Sequence, residues 1–459
     1  MNAPVNPKDL YPADLKARGL EDLAHVPGPP PARSRTLRTL KFLADPLKAV
    51  TALNAQYGPV FRRQDYMGWG VTMLGPDANE LVLFNRDKIF SSKLGWDPVL
   101  ELVFPNGLMM MDFEQHRSHR KTLSVAFKPA PMKAYLGGLN EGIGRTIGRW
   151  QTGTLFKFYP AIKNLTLDLA AGSFLGLPWG PEAQKINQAF TDMVLASVSI
   201  VRRPLPFTQM RRGVQGREFL CRYFGAEIPK RRGVPGDDFF SQFCNATDED
   251  GKLLTDQEII DHMNFLMMAA HDTLTSSITS MVYFLGKYPE WQERLREEVD
   301  GVRARHGDQV SYEALGELEL VEMAFKESLR LIPPVPMIPR RAVKDFEFMG
   351  LRIPAGAGVG INPLYTHHMA EHWPDPKRFD PLRFTTQMSA NRHKYAWVPF
   401  GGGAHMCLGL HFAYMQAKAF FHQLLGQYHI TLPQGYEGAF HMVPIPRPKD
   451  GLPVTLTRR

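Results

Sequence analysis

The segment Phe400-Gly401-Gly402-Gly403-Ala404-His405-Met406-Cys407-Leu408-Gly409 constrains this chain more than any other. Three consecutive glycines give a backbone that can turn tightly and present its N–H groups. A helical pattern runs from Leu408 to Tyr428, so Cys407 stands where a helix opens, and a helix N-terminus favours a thiolate. A thiolate ligand to haem iron needs a fixed loop, N–H donors to the sulfur and close approach to a flat macrocycle. The plainer alternative is a buried cysteine beside a glycine turn. With 29 Phe, 39 Gly and 3 Cys among 459 residues, the pattern F-x-x-G-x-x-x-C-x-G arises by chance in roughly one chain in seven hundred. Cys221 and Cys244 complete the cysteines. Three cysteines and no C-x-x-C pair argue against a disulfide framework, a zinc ribbon or a four-cysteine iron–sulfur cluster.

The decamer resembles the haem-binding loop of the cytochrome P450 superfamily. The resemblance implies a haem b cofactor (iron protoporphyrin IX), Cys407 as the metal ligand, and Phe400, His405 and Gly409 around it. The family usually carries arginine, a propionate ligand, where His405 stands; a histidine can still donate a hydrogen bond there. Four further pieces agree in order. Glu327 and Arg330 in KESLRL match the family's E-x-x-R pair, one helical turn apart. The same pattern occurs at Glu114/Arg117 and Glu293/Arg296; the prolines after Leu331 and the 80 residues to Cys407 select Glu327. Phe379-Asp380-Pro381-Leu382-Arg383-Phe384 matches F-x-P-x-R-F, whose arginine (Arg383) joins that pair in a buried structural ion network. Ala269-Ala270-His271-Asp272-Thr273 resembles the oxygen-activation motif, nearest the sterol 14-demethylase branch, with alanine in place of glycine. That resemblance assigns catalysis to Asp272 and Thr273, a carboxylate that relays protons beside a hydroxyl that bonds oxygen. The threonine can also open the helix by bonding backward. A polar stripe on an ordinary helix is the alternative. His116 and Arg120, at i and i+4, and Arg340, ten residues before Gly350, match the family's propionate-binding positions; for HRSHRK the alternative is a solvated basic face.

The resemblance and the pattern along the chain imply a mainly α fold with a smaller β-rich region, the cytochrome P450 fold. Residues 1–30 are expected to be a polar, proline-rich arm and residues 31–459 one domain. The longest helix is expected over Asp256–Lys287, and a hairpin around Lys449-Asp450-Gly451. No stretch is apolar enough for a transmembrane anchor, so a soluble, bacterial-type, cytoplasmic enzyme is expected. The charge of +8 comes as scattered pairs without a nucleic-acid-binding motif. No nucleic-acid partner is expected, and an acidic ferredoxin or similar donor with its reductase is.

By family analogy the substrate pocket is lined by Trp96, Leu100, Val103, Phe104, Met263, Met267, Ala269, Val335, Met337 and Met442, some of which are core by the simpler reading. An apolar, methionine-rich lining suits a bulky hydrophobic molecule: a steroid or terpenoid first, a fatty acid second. The implied activity is a monooxygenase that inserts one oxygen atom from dioxygen. The rivals are a peroxygenase or rearranging synthase on the same fold and a non-catalytic haem sensor, neither of which needs Asp272-Thr273.

Overall fold

A computed structural model describes residues 11–12, 15–65, 68–178, 180–199 and 201–459. Helices dominate, and a smaller β-rich part stands beside them, as expected. The helices that position the site are α1 (Lys93–Leu100), α2 (Phe113–Leu123), α3 (Pro129–Ile147), α4 (Phe158–Leu175), α5 (Pro181–Ser197), α6 (Gln209–Arg231), α7 (Asp256–Lys287), α8 (Glu319–Leu331) and α9 (Leu410–Gln427). Pro204–Pro206 and Gly233–Gly236 fall between helices.

Helix α7 has the expected bounds, and its start is specified locally. Thr255 and Glu258 form a reciprocal capping box, the Glu258 N–H donating to the Thr255 hydroxyl and the Glu258 carboxylate accepting from the Thr255 N–H. Its 32 residues span about 48 Å. It packs against α4, α6 and α8 and is buried along most of its length.

Five strands form the main sheet: β1 (Val60–Asp65), β2 (Gly68–Met73), β3 (Phe90–Ser91), β4 (Ile338–Ala342) and β5 (Gly358–Ile361), in the order β1-β2-β5-β4-β3. β2 and β5 are parallel and the other neighbours antiparallel, with Arg340 opposite Val359. Ile338, Arg340 and Ala342 alternate onto the buried face of β4, which carries the Arg340 guanidinium inward.

Two expectations need adjusting. The proline-rich stretch up to residue 30 is built into the sheet's core from Leu23 onward: Leu23 and Val26 are 0% exposed. The Arg62 N–H donates to the Pro27 carbonyl at 2.7 Å, and the Arg62 guanidinium to that of Val26. Two apolar side chains suffice to dock it, and its polar composition hides them. The tail does turn at Lys449–Gly451, but the strands on either side belong to different sheets. Arg447–Pro448 pairs back onto Phe440–His441, whereas Pro453–Arg458 lies between Leu155–Lys157 and Tyr428–Thr431. Among the described residues no helix is long and apolar enough to cross a membrane.

Candidate active site

Cys407 sits just before α9, and its N–H donates to the Phe400 carbonyl at 2.9 Å, closing the loop. Phe400 packs on Tyr414 and Trp397. Gly403 takes φ +59°, and a Cβ there would overlap the Leu83 carbonyl. This glycine is therefore required by the turn and by packing on the neighbouring helix. Burial pushes the Cys407 thiol up, against the Gly409 N–H and the Arg120 charge, which favour the thiolate. The residue is nonetheless accessible.

Near the loop four basic side chains converge. The rings of His116 and His405 stack with centroids 3.8 Å apart. Burial, then the Arg120 and Arg340 guanidinium groups, bring His116 down to about 4. Burial, Arg340, His116 and Arg120 hold His405 well below the usual imidazole range. Burial lowers Arg340 to about 10, opposed by Asp112. Arg340 donates only to its neighbour's carbonyl, Pro339 O at 2.8 Å, among the described residues. Asp112, fully buried, accepts from Tyr11, Ser91 and the Ser92 N–H and lies 3.9 Å from His405 Nε2. With both imidazoles held neutral at pH 7, the Arg120 and Arg340 guanidinium groups face one carboxylate, which leaves a net positive charge.

On α7, Ala269 is exposed and Thr273 partly so, whereas Met267, His271, Asp272 and Leu274 are buried. Positions i and i+4 share a face, so Ala269 and Thr273 make an accessible strip beside the buried His271, Asp272 and Leu274. The Thr273 hydroxyl donates to the Ala269 carbonyl at 2.8 Å. The expected backward bond is present, but α7 stays a continuous helix. Asp272 turns to the next face. Its Oδ1 lies 3.1 Å from His271 Nδ1 and 3.4 Å from Lys163 Nζ of α4. Burial raises this carboxyl, but His271 and Lys163 outweigh it and bring it down to about 2, so Asp272 is ionised at neutral pH. The motif itself gives no sign that His271 and Lys163 pair with this carboxylate. Nor does any spacing mark the buried pair His119–His262, 2.8 Å apart between α2 and α7.

Behind the loop, Arg330 donates to both Glu327 oxygens at 2.7 and 2.8 Å, and Arg383 Nε lies 3.3 Å from the same carboxylate. Both side chains of the first pair are 0% exposed. The other two E-x-x-R pairs also meet, but each includes an exposed glutamate. Of the expected pocket residues, Leu100, Val103, Phe104, Met263 and Met267 are buried in the main core, with Trp96 and Met442 packed against it. Val335 joins the sheet's core instead. Met337 is half-buried. A groove of about 800 Å³ between α3 and α4, lined by Tyr135, Arg145 and Asp168 among others, contains none of the motif residues.

The sequence profile described as Cytochrome P450 matches residues 27–442. The chain belongs to the cytochrome P450 family. It is 39% identical over 410 residues to cytochrome P450 136 of Mycobacterium tuberculosis, covering 88% of this chain and 82% of that protein. It is 29% identical to taxane 10-beta-hydroxylase of Taxus cuspidata, covering 93% and 86%. The solved structure of a retinoic acid-bound cyanobacterial CYP120A1 superposes with a TM-score of 0.83 at 30% identity, covering 92% of this P450 and 96% of that chain. This P450 is accordingly a monooxygenase, an oxidoreductase with haem b as its cofactor. Its residues suit that group. An accessible cysteine with an N–H donor fits an iron ligand, and two guanidinium groups beside two imidazoles that can donate hydrogen bonds fit two carboxylates.

Proposed function

We propose that this P450 oxidises a bulky, apolar terpenoid or steroid-like substrate, with electrons from a separate acidic ferredoxin-type protein and its reductase. One oxygen atom of dioxygen enters a C–H bond. The other leaves as water with two protons and two electrons. Haem supplies the iron at which dioxygen is bound and reduced. Cys407 would hold that iron through its thiolate, and His116, Arg120, Arg340 and His405 would hold the propionates. The observation that carries the reading is the accessible Ala269 and half-buried Thr273, one turn apart on α7, with a buried, ionised carboxylate beside the threonine.

In this reading Asp272 takes a proton at Oδ1 from His271 or from Lys163, whose side chain is 27% exposed, and passes it towards the Thr273 hydroxyl. That hydroxyl gives up its bond to the Ala269 carbonyl to donate on the accessible side of α7. Terpenoids are favoured because the relatives include a taxane hydroxylase and a structure with bound retinoic acid, an isoprenoid. The charge of +8 favours an acidic donor.

The test is one reconstituted assay with a terpenoid chosen by its spin-state shift. Thr273→Ala should bind substrate and accept electrons as the parent does. It should release hydrogen peroxide in place of product, with product per NADH falling roughly 10²-fold, the scale of a lost proton-delivery group. Equal coupling in parent and variant removes the role of the hydroxyl. A panel in which fatty acids shift the spin state and terpenoids do not removes the substrate class.

A further inference from the structure

Helix α1 carries Trp96 and Leu100 and leads into Val103 and Phe104, so it forms a wall of the pocket proposed above, and any gating role for α1 rests on that pocket. Its two ends are held differently. At the N-terminal end Gly95 lies against β4. A Cβ there would come within 2.6 Å of the Arg340 Cα and 2.7 Å of the Pro339 carbonyl oxygen, so helix and strand touch backbone to backbone.

At the C-terminal end the accounting of carbonyls is complete. A helix leaves its last four C=O groups without helical partners. In α1 the Asp97 carbonyl accepts from the Glu101 N–H, and that of Leu100 from the Val103 and Phe104 N–H groups. The remaining two, Pro98 and Val99, accept from a single side chain. Arg202 Nη2 donates to them at 3.2 and 2.9 Å. The other nitrogen of the same guanidinium, Nη1, donates to Ser197 O at 2.7 Å and Ala196 O at 3.4 Å, the last carbonyls of α5. One planar fork thus closes the C-termini of two helices about 100 residues apart in sequence, at the negative ends of both dipoles. Among the described residues no carboxylate pairs with Arg202. The connection therefore rests on carbonyl acceptors alone, which water can replace.

We propose that Arg202 is a positioning residue that latches the end of α1 to the turn between α5 and α6 and sets the rate at which apolar ligands enter and leave. Release at Arg202 lets α1 swing about its seat at Gly95. The chain beyond stays tied to α7, because Asn106 Nδ2 donates to Asp261 at 3.0 Å. The opening is therefore local to α1 and does not unfold the wall.

Stopped-flow binding of a hydrophobic azole to the haem-loaded protein, followed at the Soret band, tests this alongside hydrogen exchange. Arg202→Ala should speed association roughly tenfold and dissociation by a similar factor, leaving Kd within about threefold. Amides of residues 93–105 and 195–203 should exchange faster together, with the rest of the chain unchanged. Arg202→Lys keeps the charge but cannot reach both helix ends, and should fall between parent and alanine; it also decides the matter if Arg202→Ala does not fold. Association within twofold of a parent that binds the azole overturns the latch alone, as does exchange that rises throughout the chain. A parent that shows no azole shift overturns the pocket reading and the latch with it.

Discussion

Asp272 is held by two bases that come from different parts of the chain. His271 is its neighbour on α7, whereas Lys163 lies on α4. Burial alone would raise its pKa; these two bring it to about 2, below the ordinary value near 3.9 for aspartate. A depressed carboxyl stabilises the fold fully above the unfolded-state pKa and loses that contribution as pH falls through the folded-state value. The gap corresponds to about 2.5 kcal/mol in total. Lys163→Met should remove part of it by raising the folded pKa. The variant should be less stable than the parent at pH 5–7, and the difference should roughly halve by pH 3, where the parent carboxylate has itself begun to lose its advantage. Urea unfolding across that range measures it. A stability gap that stays constant with pH means that Lys163 contributes packing only.

Helix α8 shows what a local spacing can and cannot reveal. Glu327 and Arg330 are placed by the helix itself, one turn apart on one face. The partners that bury them come from elsewhere: Arg330 also donates to the carbonyls of His367, Pro376 and Arg378, and the Asp380 N–H donates to Glu327. Removing one member of a buried pair leaves the other charge uncompensated, at a cost of about 3–5 kcal/mol. Glu327→Gln should therefore destabilise the fold by that much. Glu114→Gln, on an exposed pair, should cost well under about 1 kcal/mol. Chemical denaturation of the two variants compares them directly, and equal losses would contradict the network's role. Residues whose relation is a spacing along one element were legible: the bounds of α7, the E-x-x-R turn, the backward bond of Thr273, and the cysteine before α9. Residues whose relation is made by packing were not. Lys163 is an ordinary helix lysine until α4 meets α7. Asp112 precedes α2 without a pattern to mark it, yet it is the carboxylate nearest His405. His119 and His262 come together only where α2 crosses α7.

At the scale of the whole molecule, the helical body and the sheet each keep an apolar core, and the groups proposed for the active site are drawn from both. Cys407, Asp272 and Thr273 belong to the helical part, and Arg340 to a strand of the sheet. The sheet must therefore hold its position for the basic cluster to form. The segment before residue 31 contributes to that, through Leu23 and Val26 beneath the strands, the bonds from Arg62, and the Arg18 Nε donation to the Ala355 carbonyl at 2.6 Å. Burying a leucine and a valine is worth about 1.5–3 kcal/mol each, so a chain beginning at residue 31 should lose several kcal/mol. A chain beginning at residue 11 loses none of these contacts. Thermal melts of the two truncations should then separate sharply, the shorter one melting well below the longer one. The loss should reach the site as weaker retention of haem, because β4 carries Arg340 and, through Gly95, seats α1. If the chain beginning at residue 31 melts and retains haem like the full chain, the segment is a dispensable arm after all, and the sheet's packing does not depend on Leu23 and Val26.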